Sequence, residues 1–365
     1  MGQSGKLSPN EFETLHVALG GVRVLGLGEP THGSAEAFAW KGEVILALAQ
    51  AGLLRVLAWE CGYASGRRLD RALRWGEGDL RAALTAQNFW TWNTREVLNV
   101  LLALQKWNQA QPESQRVRFV GVDVQEPYSG VQDLLLHHPR RPLHGLTKKG
   151  LLEAGSPAAA PLLAELRDLE AGETDPERRA LARNAARFVD TYLLEAQHKR
   201  LGLRDSYMAH TLLEEGLDST GLTVFWAHNE HIAVNPDFAG DPASGLVLRE
   251  KLGAAYLSVG MLLGQGKFRV RDLDALGQPK PITQLALGLP APHHSDALFL
   301  KKPAGLYPTR DFAHAGPRRF LGGHYGISAG QITPKKFEMA RPLSDFDLIR
   351  WFPETGAAHS LDDGR

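Results

Sequence analysis

Short apolar runs rich in β-branched residues recur along the chain at Val22–Leu27, Leu54–Trp59, Val117–Val122, Leu222–Ala227 and Ala255–Leu262, with shorter ones at Ala297–Leu300 and Phe346–Phe352. Their length and composition predict strands. Segments of helical periodicity lie between the early ones, most clearly Ala35–Ala51 and Arg95–Asn108. Buried-looking strands alternating with helices predict an α/β fold with a central, mostly parallel sheet flanked by helices. Residues 145–215 break the alternation with long Ala/Leu/Glu/Arg-rich helices, from about Ala158 to Ala171 and from about Pro176 to Glu215. This stretch is expected to be a helical insertion or cap over the strand carboxyl ends. No Pro/Ser-rich linker divides the chain, so one domain is expected over residues 1–365, with its helical subdomain at about 145–215.

The polar residues that follow the apolar runs carry the chemical information. The first run leads into Glu29 and His32, the second into Glu60 and the third into Asp123. The fourth leads into His228, Asn229, Glu230 and His231. Ligands of parallel α/β sheets bind outside the carboxyl ends of the strands. If these four strands are parallel neighbours, their ends gather carboxylates and imidazoles suited to acid–base chemistry in one crevice. An acid or amide after a strand also caps the next helix, so each residue alone has a structural reading. In GLGEPTHG, residues 26–33, Gly28 and Gly33 permit positive φ or close backbone approach, and Pro30 biases the chain to turn. The i, i+3 spacing aims Glu29 and His32 into the same space.

The chain has 365 residues, 43% of them hydrophobic, and its charged residues, 22% of the total, cancel to a formal net charge of zero. That removes the electrostatic case for nucleic acid or an anionic membrane as partner. Cys61 is the single cysteine, so no intramolecular disulfide forms and a cysteine-based metal site is excluded. The opening residues lack the apolar core of a signal peptide, and no run approaches a membrane span. A cytoplasmic, soluble protein is expected, with its oligomeric state open.

Several motifs have a plainer reading. Gly326-Ile-Ser328-Ala-Gly330 matches the nucleophile pattern of α/β-hydrolases but lacks the strand before it and the helix after it. Gly264-Gln-Gly266-Lys267 reads as a hairpin turn. His137-His138 and His293-His294 read as solvated loop residues, and Cys61 as an inert buried thiol. Phe89-Trp90-Thr-Trp92 lines an apolar substrate pocket or belongs to the core; the sequence leaves both open.

Taken together, GEPTHG at 28–33, AWE at 58–60, WTWNTREV at 90–97, FVGVDVQ at 119–125, RDSYMA at 204–209, FWAHNEHIA at 225–233, GAAYLSVGMLLGQG at 253–266 and FDLIRWF at 346–352 resemble the erythromycin esterase family. The resemblance implies metal-independent hydrolysis of a small-molecule ester, in the best-known members a macrolide lactone; other members are described as succinoglycan-biosynthesis-like. It implies His32 as the base that activates water, with Glu29, Glu60, His228 and His231 as further catalytic residues. Glu60 or Glu29 would orient His32, while His228 and His231, with Lys41, would bind the carbonyl oxygen or protonate the leaving alkoxide. Asp123, Trp90 and Trp92 are the remaining substrate-binding candidates. Family members commonly place arginine twelve residues after the motif's Glu, where this chain has Lys41. No cofactor is expected. The alternatives are a metal-dependent hydrolase with a divalent ion at Glu29, His32, Glu60, His228 and His231, or a non-catalytic small-molecule- or haem-binding protein on the same scaffold.

Overall fold

Runs of apolar residues without polar alternation form strands whose two faces are both covered. The computed structural model describes residues 5–361 except 88, 140, 196–198, 219, 238–239, 275, 277, 313–315 and 326–341, so Ser328 and its motif lie outside the described residues. Its strands are β1 (Val24–Leu27), β2 (Leu54–Gly62), β3 (Arg118–Asp123), β4 (Leu222–Trp226), β5 (Tyr256–Leu273), β6 (Pro279–Leu287), β7 (Gly305–Pro308), β8 (His324–Tyr325) and β9 (Leu348–Thr355). They form one sheet in the order β3-β2-β4-β1-β5-β9-β7, with β6 and β8 also paired to β5. β1 to β5 and β9 run parallel to their neighbours, while β6 and β7 are antiparallel. The four strands that end in candidate site residues are therefore adjacent and point the same way.

The helices are α1 (Pro9–Ala18), α2 (Ala35–Gln50), α3 (Tyr63–Trp75), α4 (Leu80–Thr85), α5 (Arg95–Gln109), α6 (Tyr128–His137), α7 (Ala159–Gly172), α8 (Pro176–Phe188), α9 (Arg200–Thr211), α10 (Asn229–Ile232) and α11 (Ser244–Leu252). Successive strand residues face opposite layers. Leu57 and Trp59 pack with Phe38, Ile45 and Leu48 of α2 and Leu101 and Leu104 of α5. Val56 and Ala58 pack with Leu181 and Ala185 of α8 and Met208 and Leu212 at the end of α9. The helical stretch at 145–215 thus covers one face of the sheet, and α9 packs against β3. Ser34 and Thr94 start α2 and α5 by accepting the backbone N–H of Ala37 and Val97 on their hydroxyls.

Three expectations are corrected. Ala297–Leu300 is not a strand but the end of a 3₁₀ turn over Ser295–Phe299. Only Phe299 of that run is deeply buried; Leu298 and Leu300 face outward, so no second face calls for a strand. The segment from Pro176 to Glu215 is two helices, and each ends in a π-helical turn, at Val189–Leu194 and Leu212–Gly216. Gly264-Gln-Gly266-Lys267 is no hairpin turn but the middle of β5. A Cβ at Gly264 would lie 2.2 Å from the carbonyl oxygen of Pro353, and one at Gly266 2.0 Å from that of Thr355. Glycine here serves the tight pairing of β5 with β9.

Candidate functional site

The loop after β1 is fixed by its neighbours rather than by its own stiffness. A Cβ on Gly28 would sit 2.2 Å from Asn229 Oδ1, and one on Gly33 would sit 1.9 Å from the Arg269 carbonyl oxygen. Both glycines are thus required by close approach, and neither has positive φ. Thr31 Oγ1 donates to the Gly322 carbonyl (3.0 Å), and Asn229 N donates to the Glu29 carbonyl (2.9 Å). The Asn229 side chain in turn exchanges two hydrogen bonds with the Met261 backbone on β5.

This framework buries Glu29 completely and leaves His32 partly open. Glu29 Oε1 lies 2.6 Å from His32 Nδ1, while Oε2 accepts from Lys41 Nζ (2.7 Å) and Trp226 Nε1 (2.9 Å). Burial works to raise the Glu29 carboxyl, but the charge of Lys41 and the hydrogen bond with His32 overcome it and hold the group below its usual range. Burial pulls the Lys41 ammonium down to about 8 against the pull of Glu29 and Glu60. Lys41 also sits 4.6 Å from the centroid of the Trp226 ring, which favours the cation. Of the two carboxylates expected to orient His32, Glu29 makes the contact.

Glu60 belongs to a second cluster. Its Oε1 meets Arg204 Nη2 (2.9 Å) and His231 Nε2 (3.1 Å), and its Oε2 accepts the backbone N–H of His228 (2.9 Å). Arg204 Nε and Nη2 grip both oxygens of Asp123 at 3.0 and 2.7 Å. His231 Nδ1 faces Asp205 Oδ1 at 2.8 Å, so both ring nitrogens lie against carboxylates, a setting that favours the imidazolium, and Nε2 also meets Arg204 Nη1 at 3.2 Å. Burial works against that charge, yet Asp205 and Glu60 push the His231 pKa up to about 10. Glu60 is held well below the usual carboxylate range despite burial, by His231 and then Arg204.

The folded protein holds the His231 proton more tightly than the unfolded chain does. Its contribution to stability is therefore complete below about pH 6.5 and lost as pH rises toward about 10. Denaturation midpoints measured across that window should fall in the wild type, and the part due to this group should vanish in His231→Gln. Identical slopes in the two proteins would contradict the assignment.

His228 is the neutral member. Its Nε2 donates to the carbonyls of Leu321 (2.9 Å) and Pro30 (3.2 Å), and its Nδ1 accepts the N–H of Glu230 (3.3 Å) at the start of α10. Burial, with His32 nearby, lowers its pKa to about 4. The ring lies 5.1 Å from that of His32, centroid to centroid.

These groups surround a cavity of about 490 Å³ lined by His32, Glu60, Asp123, Arg204, His228 and His231, with Phe89, Trp90, Trp92 and Phe320 as its aromatic wall. Eight of the nine candidate residues are at this cavity or directly behind it. The ninth, Lys41, is reached only through Glu29: it is fully buried and its ammonium binds Glu29 and the Ala227 carbonyl, which leaves it no path to a substrate oxygen. Asp123 and Glu60 line the cavity with their oxygens already engaged by Arg204. Trp92 is 2% exposed and packs against His32 and Trp59, so it is both core and wall. Trp90 is half-buried and meets the His324 ring edge-on and the guanidinium groups of Arg269 and Arg271.

Arg204 and Asp205 were not among the candidates. Their one signal is the RDSYMA segment, which sits in a helix and not at a strand end. Among the described residues, no group of three or more His, Cys, Asp or Glu is arranged to hold a metal ion. The carboxylates named for a divalent ion instead carry resident cations: Lys41 on Glu29, Arg204 and His231 on Glu60.

Residues 54–355 match the family model described as erythromycin esterase. The match starts at β2, after the loop that bears Glu29 and His32. A solved succinoglycan biosynthesis protein superposes with a TM-score of 0.75 at 19% identity, covering 98% of this chain and 95% of that one. A Bacillus cereus protein gives 0.75 at 19% identity, with 98% and 94% covered. The erythromycin esterase EreC, as a histidine-to-asparagine mutant in its open conformation, gives 0.70 at 19% identity, with 99% and 97% covered. No curated protein matches the sequence. At such identities the superpositions speak for the fold, which is the one derived above, and the family match spans most of the chain: it belongs to the erythromycin esterase family.

Proposed function

We propose that this protein hydrolyses an ester or lactone of a small molecule, with His32 as general base and water as nucleophile. The observation that carries this reading is the 2.6 Å contact of Glu29 with His32 Nδ1 at the wall of a cavity of about 490 Å³. A carboxylate on Nδ1 fixes the tautomer, so the lone pair is on Nε2, and it stabilises the cation formed when that nitrogen takes a proton. Water gives its proton to Nε2 as its oxygen bonds to the acyl carbon. The tetrahedral intermediate then breaks its C–O bond, and the imidazolium returns the proton to the departing alkoxide. The acid is released with no bond to the enzyme at any stage. Cys61 is no rival nucleophile, because burial and the nearby Asp123 hold its thiol well above the usual range.

The pairing of each carboxylate with a cation of the protein supports a metal-independent reaction. The test is turnover on erythromycin, other macrolides and 4-nitrophenyl acyl esters, with the product identified by its gain of one water. Activity is expected to survive exhaustive dialysis against a chelator. Activity lost to the chelator and restored by a divalent ion would replace this reading with the metal-dependent one. Failure on every ester, with a small molecule retained tightly, would favour a binding protein.

A further inference from the structure

An ester carbonyl that gathers negative charge needs a donor fixed in advance at the cavity wall, and most cations here are committed elsewhere. Lys41 is sealed behind Glu29. His228 Nε2 donates to two carbonyls, and both nitrogens of His231 lie against carboxylates, those of Asp205 and Glu60. Arg204 differs. Its Nε and Nη2 are bound to Asp123 and Glu60, but Nη1 lies 3.2 Å from His231 Nε2. Nη1 carries two hydrogens, so at least one of them has no acceptor among the described residues, at a wall the guanidinium shares with His32.

We propose that Arg204 is a catalytic residue whose open Nη1 N–H binds the substrate carbonyl oxygen as it becomes an oxyanion. The proposal rests on the ester-hydrolysis reading for its chemistry, though not for the binding of a tetrahedral anion. Three features suit the task. The guanidinium stays charged at every working pH, so the donor never titrates away. Its carboxylate clamps hold it at the cavity wall before the substrate arrives, so little reorganisation accompanies the reaction. The proton taken by His32 offsets the charge gained by the oxygen, and the total charge of the cavity is unchanged through the step.

Two measurements test this. With 4-nitrophenyl acetate, Arg204→Gln should lower kcat by about 10²–10³-fold with little change in KM. Millimolar guanidinium should restore part of the activity of Arg204→Ala. The second uses methyl benzylphosphonate, a tetrahedral monoanion: its affinity should fall at least about tenfold in Arg204→Gln and stay near wild type in His32→Ala. Arg204 variants that keep kcat, or lose kcat only in step with melting temperature and without guanidinium rescue, would overturn the proposal while the ester reading stands. A wild type that hydrolyses no ester yet shows the phosphonate pattern would remove the ester reading and leave Arg204 as the anion-binding residue. Equal phosphonate affinity in all three proteins would overturn it on either reading.

Discussion

His32→Ala is expected to lower turnover at least about a hundredfold, because general-base catalysis contributes about 10²–10⁴-fold. The far-UV spectrum and melting temperature should be nearly those of the wild type. His32 is partly open to the cavity, and its one described hydrogen-bond partner, Glu29, keeps both Lys41 and Trp226 when the ring is gone. Residual activity should remain, since the donors that stabilise the tetrahedral intermediate are untouched. Glu29→Gln is the companion variant: an amide that turns its N–H₂ toward Nδ1 favours the wrong tautomer, so kcat should fall while the ring stays in place. A fully active His32→Ala protein would end the general-base mechanism.

Lys41→Met should lose much stability. Removing one partner of a buried ion pair leaves the other charge uncompensated and costs about 3–5 kcal/mol. Lys41 and Glu29 are both completely buried, so water cannot take the place of the lost ammonium. The remaining partners of Glu29 are one indole N–H and His32, and the lowest-energy responses are protonation of Glu29 or transfer of a proton to His32. Either changes the base as well as the fold. Chemical denaturation of Lys41→Met should therefore show an earlier midpoint, and whatever activity survives should have a displaced pH profile. A variant with wild-type stability would mean that the pair is not carrying a net charge of each sign.

The architecture could be read from the chain because its strands are buried on both faces and its site lies where those strands stop. Apolar runs that end abruptly in Glu29, Glu60, Asp123 and His228 are a local signal, and their convergence follows once the four strands are parallel neighbours. Arg204 escaped because nothing local distinguishes it. It is polar, on a helix of ordinary composition, and 144 residues from the Glu60 that it binds. Its role follows only when α9 is laid on the sheet face. Lys41 was marked in another way, only by the resemblance, as the residue standing where family members commonly have arginine. The resemblance marked its position but not its direction, and the side chain turns behind Glu29 instead of into the cavity. The full length of β5 was hidden because glycines within it resemble a turn, although they serve contact with β9.

That long strand links the loops around the cavity. Beyond its pairing with β1, β5 continues so that Arg269 N donates to the Gly33 carbonyl and Arg271 N to that of Gly323, while Arg269 Nη1 donates to the Trp90 carbonyl. Three segments far apart in sequence, those of His32, Trp90 and Gly323, are thereby referenced to one rigid rod that begins inside the sheet. Their ordering entropy is spent when the chain folds, not when the substrate arrives. The same linkage constrains inheritance: a change that shifts one loop is transmitted to the other two. New substrate preferences on this scaffold should therefore arise by exchanging side chains along the aromatic wall while the three backbones keep their mutual spacing.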